Sequence, residues 1–467
     1  MSERKTHDIA IIGSGPGGYV AAIKAAQMGQ SVALIDHSYL GGCCLNVGCI
    51  PTKTLLSNAS VLQTIRHAKD FGISVGPVSF DYAQMKAQKD KIVAKIRASL
   101  EGLIKTNKIT IYRGKAQFQS PGELKIIGQD NLFVSAGKII IATGSVPLDI
   151  KAFPCDHHRI LNSTSILEIT ELPRHLCIVG GGYIGCEFAS LFNELGVHVT
   201  ILEALPTILA GQGKQIAEFM TKAFHARGID IQTNVAVQRI DNQKSHAAIA
   251  LVNGKTMDAD IVLIAVGRKI YTDGLALDRA GLAVNEKGAI ETNSRMETAV
   301  KDIYAIGDVT GQWMLAHVAS HQGLVAASNA SGHEMHIDYA AVPAVVFTSP
   351  EIATVGLNLE QAIQAGHTAA AGFFPFQALG KAQASMETEG FAQIVADRKT
   401  GQILGAQIIG RDASNLIAEM ALAIQNELTL ESVMQTIHAH PTIAESWLEA
   451  AAIANETPIH FPPRTKR

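Results

Sequence analysis

The feature that most constrains this chain is a glycine-bearing strand–helix–strand pattern that occurs twice. Residues 8–36 read DIAIIGSGPGGYVAAIKAAQMGQSVALID. Ile9 to Ile12 form a short apolar run that suits a buried strand. Gly13, Gly15 and Gly18 follow in the spacing Gly-x-Gly-x-x-Gly, with Gly17 beside them. Tyr19 to Met28 then read as a helix ended by Gly29, Ser31 to Ile35 as a second strand, and Asp36 closes it. Each residue type meets a physical demand. Glycines let the backbone turn tightly and approach a pyrophosphate. The helix N-terminus offers free N–H groups and a partial positive charge. The acid at the second strand's end accepts hydrogen bonds from a ribose. The pattern returns over residues 176–203, LCIVGGGYIGCEFASLFNELGVHVTILE. Gly180, Gly182, Gly185, Gly196 and Glu203 repeat Gly13, Gly15, Gly18, Gly29 and Asp36, each 167 residues later. A chain with two such units is expected to hold two dinucleotides.

Bulk properties narrow the setting. At roughly 100–200 residues per domain, 467 residues predict three or four domains. With 47% hydrophobic and 17% charged residues the composition is globular, not disordered. A net charge of −3 gives no bulk reason to expect nucleic acid or an anionic membrane as partner. No apolar run reaches the roughly 18 residues of a membrane span. The first residues, MSERKTHD, carry no secretion core. The expected location is the cytoplasm, or the mitochondrial matrix for a mature eukaryotic form.

Six cysteines occupy positions 43, 44, 49, 155, 177 and 186. Three crowd into GGCCLNVGCIPTK, residues 41–53, directly after the first unit. Cys44 and Cys49 are five apart, and Pro51 suggests a helix beginning near Cys49. A thiol there feels the positive end of the helix dipole, which favours thiolate and suits donation to an oxidised flavin. The first unit is therefore assigned FAD and the second a nicotinamide dinucleotide. Glu203 is followed by Ala204, Leu205 and Pro206, with no basic residue before Lys214, which favours the free 2′-hydroxyl of NAD. No second cysteine pair completes a zinc set, so no metal is expected. Cys155, Cys177 and Cys186 read as passive. Further apolar strands end at Thr143 and Gly144, at Gly267 and Arg268, and at Gly307 and Asp308. Ligands of open α/β sheets bind beyond such carboxyl ends. Asp308 suits a hydroxyl of a ribityl chain, with a helix N-cap as its plainer reading.

The run from Gly41 to Lys53 resembles the redox motif of the pyridine nucleotide–disulfide oxidoreductases, and the likeness spans essentially the whole chain. It implies an α/β fold of two Rossmann-like dinucleotide-binding domains, for FAD (1–146) and NAD (147–271). A central domain (272–341) and a C-terminal α+β dimerisation domain (342–467), opening on VPAVVFTSPEIATVG, complete it. By this resemblance Cys49 contacts the flavin and Cys44 exchanges with substrate. Lys53 lies near the flavin and pairs with Glu187 of the second unit, and Ala316 joins the FAD residues. Glu187 and Gly267 are grouped with the NAD residues. In TIHAHPTIAESWLEA, His440 before Pro441 and Glu445 five positions on resemble the family's acid–base dyad, supplied by the partner in a homodimer after a cis bond. Imidazole titrates near neutrality, and a carboxylate behind it fixes its tautomer. His438 reads as a surface histidine beside a turn. HAHPT together with Glu203 is similar to the branch that oxidises dihydrolipoyl thiols with NAD+. That branch implies lipoyl domains of 2-oxoacid dehydrogenase complexes, or of the glycine cleavage system, as partners. The alternative is a glutathione-type disulfide reductase, although those generally prefer NADPH. Mercuric reductases generally lack the dyad and add terminal cysteines, which this chain does not. Three positions depart from the pattern: Asp36 replaces the usual Glu, Thr52 the usual Ser, and Cys43 a small hydroxyl residue. Cys43 is expected to point inertly into the fold, the other outcome being an off-pathway disulfide.

Overall fold

The computed structural model describes residues 3–462. The chain divides into two compact units, Met1–Arg174 with Ile240–Ala248 and Asp260–Asp338, and His175–Arg239 with Ile249–Ala259 and Tyr339–Arg467.

The first unit opens with β1 (Arg4–Ile12), α1 (Pro16–Gln27) and β2 (Val32–Asp36). It continues through α2 (Gly42–Val47), α3 (Cys49–Arg66), α4 (Tyr82–Thr106), β3 (Thr110–Ser120), β4 (Glu123–Gly128) and β5 (Leu132–Ile141). β1 lies parallel between β2 and β5, with Ile9 opposite Val32 and Lys138. Strand Ile303–Ala305 continues the parallel sheet beyond β5. Ile9, Ala10 and Ile11 are fully buried, as expected of a parallel strand covered on both faces. β1 begins five residues before the apolar run because Arg4 to His7 pair with Phe133 to Ala136. That pairing is made by backbone and leaves no apolar signal.

The second unit repeats the opening motif. Strand His175–Val179, helix Tyr183–Glu194 and strand His198–Leu202 form a parallel βαβ, with Cys177 opposite Thr200. Its C-terminal part is a five-stranded antiparallel sheet in the order Ala344–Val346, Ile352–Gly356, Ile403–Ile409, Phe391–Asp397, Ala369–Pro375. Helices Ala413–Gln425 and Glu445–Ala454 share a core with this sheet, centred on the fully buried Trp447, whose indole N–H donates to the Leu416 carbonyl at 3.2 Å. A Cβ on Gly372 would stand 1.9 Å from the Ala450 carbonyl oxygen, so the last helix lies directly on its strand. This is the α+β layout expected of the C-terminal domain. Among the described residues no helix is long and apolar enough to cross a membrane.

Candidate active site

The two glycine turns are built alike. A Cβ on Gly18 would lie 1.9 Å from the Gly13 carbonyl oxygen, and one on Gly185 would lie 2.0 Å from that of Gly180. These third glycines let each helix sit on its own turn. The middle glycines differ in kind: a Cβ on Gly15 or on Gly182 would meet nothing within 4 Å. Both helices start at that middle glycine with no side-chain cap and no acid in the first turn. An uncapped helix start beside open space is a cradle for a phosphate. The residues therefore fit the dinucleotides assigned to them.

The acids repeat as well. Asp36 accepts from the Ser14 N–H (2.8 Å), the Ser14 hydroxyl (2.5 Å) and the Ser38 N–H (2.8 Å). Glu203 accepts from the Gly181 N–H (2.6 Å) and the Leu205 N–H (2.7 Å). Ser14 and Ser38 correspond to Gly181 and Leu205 under the same shift of 167 residues. A carboxylate offers about four acceptor positions, so both acids stay oriented by backbone and retain room for ribose hydroxyls.

The redox motif is seated on the first cradle. A Cβ on Gly42 would come within 2.6 Å of the Gly15 Cα, so α2 begins against the phosphate turn. Asn46 donates to the carbonyls of Leu40 (3.0 Å) and Gly42 (2.8 Å) and accepts from Arg97 Nε at 3.0 Å. Arg97 also stacks 3.8 Å above the Tyr39 ring, tying α4 to the motif. α3 starts at Cys49, as expected, with no acid in its first turn and Lys53 one turn on. Cys44 and Cys49 are both half-buried and are not joined by a disulfide. The Cys44 thiol is held far above its ordinary range, first by its hydrogen bond to Cys49 and then by burial. Cys49 stands at the helix start, where the positive end of the dipole favours a thiolate.

Cys43 lies half-buried in the fold. Its Sγ lies 3.4 Å from Arg268 Nη2. Arg268 also donates to the Ser145 hydroxyl and to the Ser145 carbonyl, both at 2.7 Å, and the Ser145 hydroxyl donates to Asp308. Asp308 stands on the tight turn Gly307–Thr310, anchored where the Gly307 N–H donates to buried Gln322 at 2.6 Å. Thr143 donates to the Tyr271 carbonyl at 2.5 Å, Gly144 and Gly267 both take left-handed φ values, and Ala316 is the first residue of helix Ala316–Ala330. Ser145, Arg97 and Gln322 carry no spacing or motif signal, and sequence reasoning missed them. Burial pushes Cys155 up to about 11 and Cys177 up to about 12, and Cys186 is buried and also raised, in keeping with passive thiols.

The second unit holds the dyad. His440 Nδ1 is 2.8 Å from Glu445 Oε1, and Glu445 Oε2 accepts from the Thr442 N–H at 2.9 Å. Partial burial pushes the Glu445 carboxyl up, but the Thr442 N–H and His440 more than reverse this and leave it below the ordinary range. The His440 side chain is 77% exposed, open to a substrate or a second chain. The His440–Pro441 bond is cis. His438, expected at the surface, has a side chain only 5% exposed, with Nε2 3.0 Å from Glu419. A third pair joins His460 to buried Glu449 at 2.7 Å, one turn beyond Glu445 on the same helix. Glu187 is also buried and accepts from the Phe347 N–H at 3.0 Å.

Comparison with known proteins agrees with this geometry. Residues 7–323 match the family described as pyridine nucleotide-disulphide oxidoreductase, and residues 342–451 match its dimerisation domain. The chain is similar to a dihydrolipoyl dehydrogenase of Chlamydia pneumoniae, 49% identical over 98% of this chain and 99% of that one. It is also similar to one of Geobacillus stearothermophilus, 42% identical over 97% of each. Among solved structures it resembles LpdA from Mycobacterium tuberculosis, with TM-score 0.90 and 28% identity over 96% of this chain and 99% of that one. It also resembles the flavoprotein disulfide reductase RclA from Escherichia coli, with TM-score 0.86 and 30% identity over 96% and 99%.

Proposed function

The chain belongs to the pyridine nucleotide-disulphide oxidoreductase family, and from that premise we propose that it oxidises protein-bound dihydrolipoyl groups with NAD+, using FAD and the Cys44–Cys49 pair. The observation that carries the reading is the seating of α2 on the first phosphate turn, which puts a two-thiol exchange centre beside a dinucleotide cradle. The paired acid at Glu203 favours NAD over NADP, against the glutathione-type alternative.

One lipoyl thiol gives its proton to His440, whose Nδ1 is held by Glu445. The carboxylate orients the ring and stabilises the imidazolium. The lipoyl thiolate attacks Cys44 in the disulfide form, a mixed disulfide forms, and Cys49 leaves as thiolate at the start of α3. The second lipoyl sulfur attacks the first and closes the lipoyl disulfide. Cys44 leaves and takes the proton that the second lipoyl thiol gives up, so the chain ends with a Cys44 thiol, a Cys49 thiolate and the first proton on His440. FAD, when bound, would supply the redox chemistry by which the electron pair of the reduced Cys44–Cys49 pair passes on to NAD+. Gly13, Gly15, Gly17, Gly18, Asp36, Lys53, Thr143, Gly144, Asp308 and Ala316 would hold the flavin dinucleotide. Gly180, Gly182, Gly185, Glu187, Glu203 and Gly267 would hold the nicotinamide one. His440 and Glu445 complete the site of a second copy in a homodimer. The interface domain is taken as 342–467, the partners are lipoyl domains of a 2-oxoacid dehydrogenase complex or of the glycine cleavage system, and the chain works in the cytoplasm or a mitochondrial matrix.

The test mixes Cys44→Ser chains with His440→Ala chains. Each homodimer is expected to be inactive with dihydrolipoamide and NAD+. Heterodimers regain activity because one of their two sites is intact. No recovery sinks the shared site, and a faster rate with NADPH and glutathione disulfide sinks the substrate assignment.

A further inference from the structure

The third thiol raises a problem that the exchange chemistry does not resolve. Cys43 and Cys44 are neighbours on α2, and Cys43 lies close enough to Cys49 for charge on either to oppose charge on the other. In the disulfide form of the enzyme a Cys43 thiolate has a target. It would attack the Cys49 sulfur, the Cys44–Cys49 bond would break, and a Cys43–Cys49 bond would form. Cys44 would leave as thiolate and take the proton that Cys43 lost. The exchange is an isomerisation and needs no oxidant. Its product is inert, because the incoming lipoyl thiolate no longer finds a disulfide sulfur at position 44. Attack on Cys44 itself would require a disulfide between adjacent residues within a helix, so Cys49 is the target that matters.

Thiol–disulfide exchange requires the attacking sulfur to reach the line of the bond it breaks. Here that sulfur is tied elsewhere. Arg268 Nη2 stands 3.4 Å from Cys43 Sγ. The guanidinium is itself immobilised by the hydroxyl and carbonyl of Ser145, and Ser145 by Asp308. A planar fork with this many fixed acceptors holds its direction in a way a flexible ammonium does not. We propose that Arg268 is a positioning residue that clamps Cys43 away from the catalytic pair, so that a three-thiol cluster behaves as a two-thiol centre. The proposal rests on the Cys44–Cys49 exchange reading above. It is consistent with a thiol at position 43 where a hydroxyl would have been harmless.

The experiment uses the full-length holoenzyme with Arg268→Gln, Arg268→Lys, Cys43→Thr and the double variant Arg268→Gln/Cys43→Thr. Free thiols are alkylated without reduction, disulfides are mapped by peptide mass, and activity is expressed per bound flavin. Wild type is expected to show Cys44–Cys49 with Cys43 alkylated. Arg268→Gln should raise the Cys43–Cys49 species by about tenfold or more, since a hydrogen bond from a charged donor is lost, and should lose activity per flavin. Arg268→Lys keeps the charge, so its rise should be smaller, and it supplies the measurement if the Gln variant folds poorly. Cys43→Thr keeps an acceptor for Arg268 and removes the third thiol. In the double variant the inert disulfide disappears and activity per flavin returns to that of Cys43→Thr. A normal wild-type map with no Cys43–Cys49 bond in either Arg268 variant overturns the clamp alone. So does an activity loss that the double variant fails to recover. A wild-type map without Cys44–Cys49 overturns the exchange reading, and the clamp with it.

Discussion

Replacing Gly182 and Gly185 by alanine, one at a time, separates the fold from the cofactor within four residues of one turn. Gly182 has φ −78° and ψ −171°, a conformation open to any residue, and its added Cβ meets nothing within 4 Å. Two small effects on stability oppose each other. Alanine loses less unfolded-state freedom, a gain of about 0.4–1 kcal/mol. It is also a poorer N-cap than glycine, a loss of a few tenths to about 1 kcal/mol. Gly182→Ala should therefore melt within about 2 °C of wild type and keep its flavin. The methyl nevertheless enters the room a pyrophosphate needs at the start of helix Tyr183–Glu194. Losing one hydrogen bond to a charged oxygen costs about 1.5–3 kcal/mol, which raises KM for NAD+ about 10- to 100-fold. KM for dihydrolipoamide should not move. Gly185→Ala places its Cβ 2.0 Å from the Gly180 carbonyl oxygen. Forced overpacking of that kind costs about 1–3 kcal/mol and should lower the melting point by about 3 °C or more. Thermal melts, flavin content and NAD+ titrations read all of this. A Gly182→Ala enzyme with wild-type KM for NAD+, or one that melts as low as Gly185→Ala, would refute the cradle argument.

Two other outcomes test separate parts of the chain. Glu445→Gln removes the charge behind His440 and should lower kcat/KM for dihydrolipoamide about 10- to 100-fold, while reduction of the bound flavin by NADH keeps its rate; equal losses in both half-reactions would contradict a dyad that serves only the thiol side. Burial pushes the Asp156 carboxyl up, but the N–H groups of Ile160, His158 and Arg159 and the Asn242 amide reverse this and leave it at about 2. Its folded value lies below the unfolded 3.8, so its stabilisation is present above about pH 4 and is lost as pH falls through about 2. After allowance for solvent screening, Asp156→Asn should cost about 1–2 kcal/mol at neutral pH, and a denaturation difference that persisted unchanged at pH 2 would count against the assignment.

The parts of this protein legible in its sequence are those set by short-range rules. Two glycine triplets, two strand-closing acids and a helix starting at Cys49 follow from backbone sterics, strand and helix periodicity and helix-end electrostatics, each acting over a few residues. The structure reproduces them down to paired hydrogen bonds at Asp36 and Glu203. The early start of β1 escaped because strand pairing uses backbone groups that every residue carries. His438 escaped because its partner Glu419 stands on helix Ala413–Gln425, and nothing beside it in the chain announces that partner. The same holds for Arg97 beneath Asn46 and for Arg268 against Cys43, contacts that span 51 and 225 residues. A sequence read locally determines which groups can do chemistry. Which neighbour restrains each of them is decided when distant segments are folded together, since hydrogen bonds and charge act through a few ångströms of space and not along the chain.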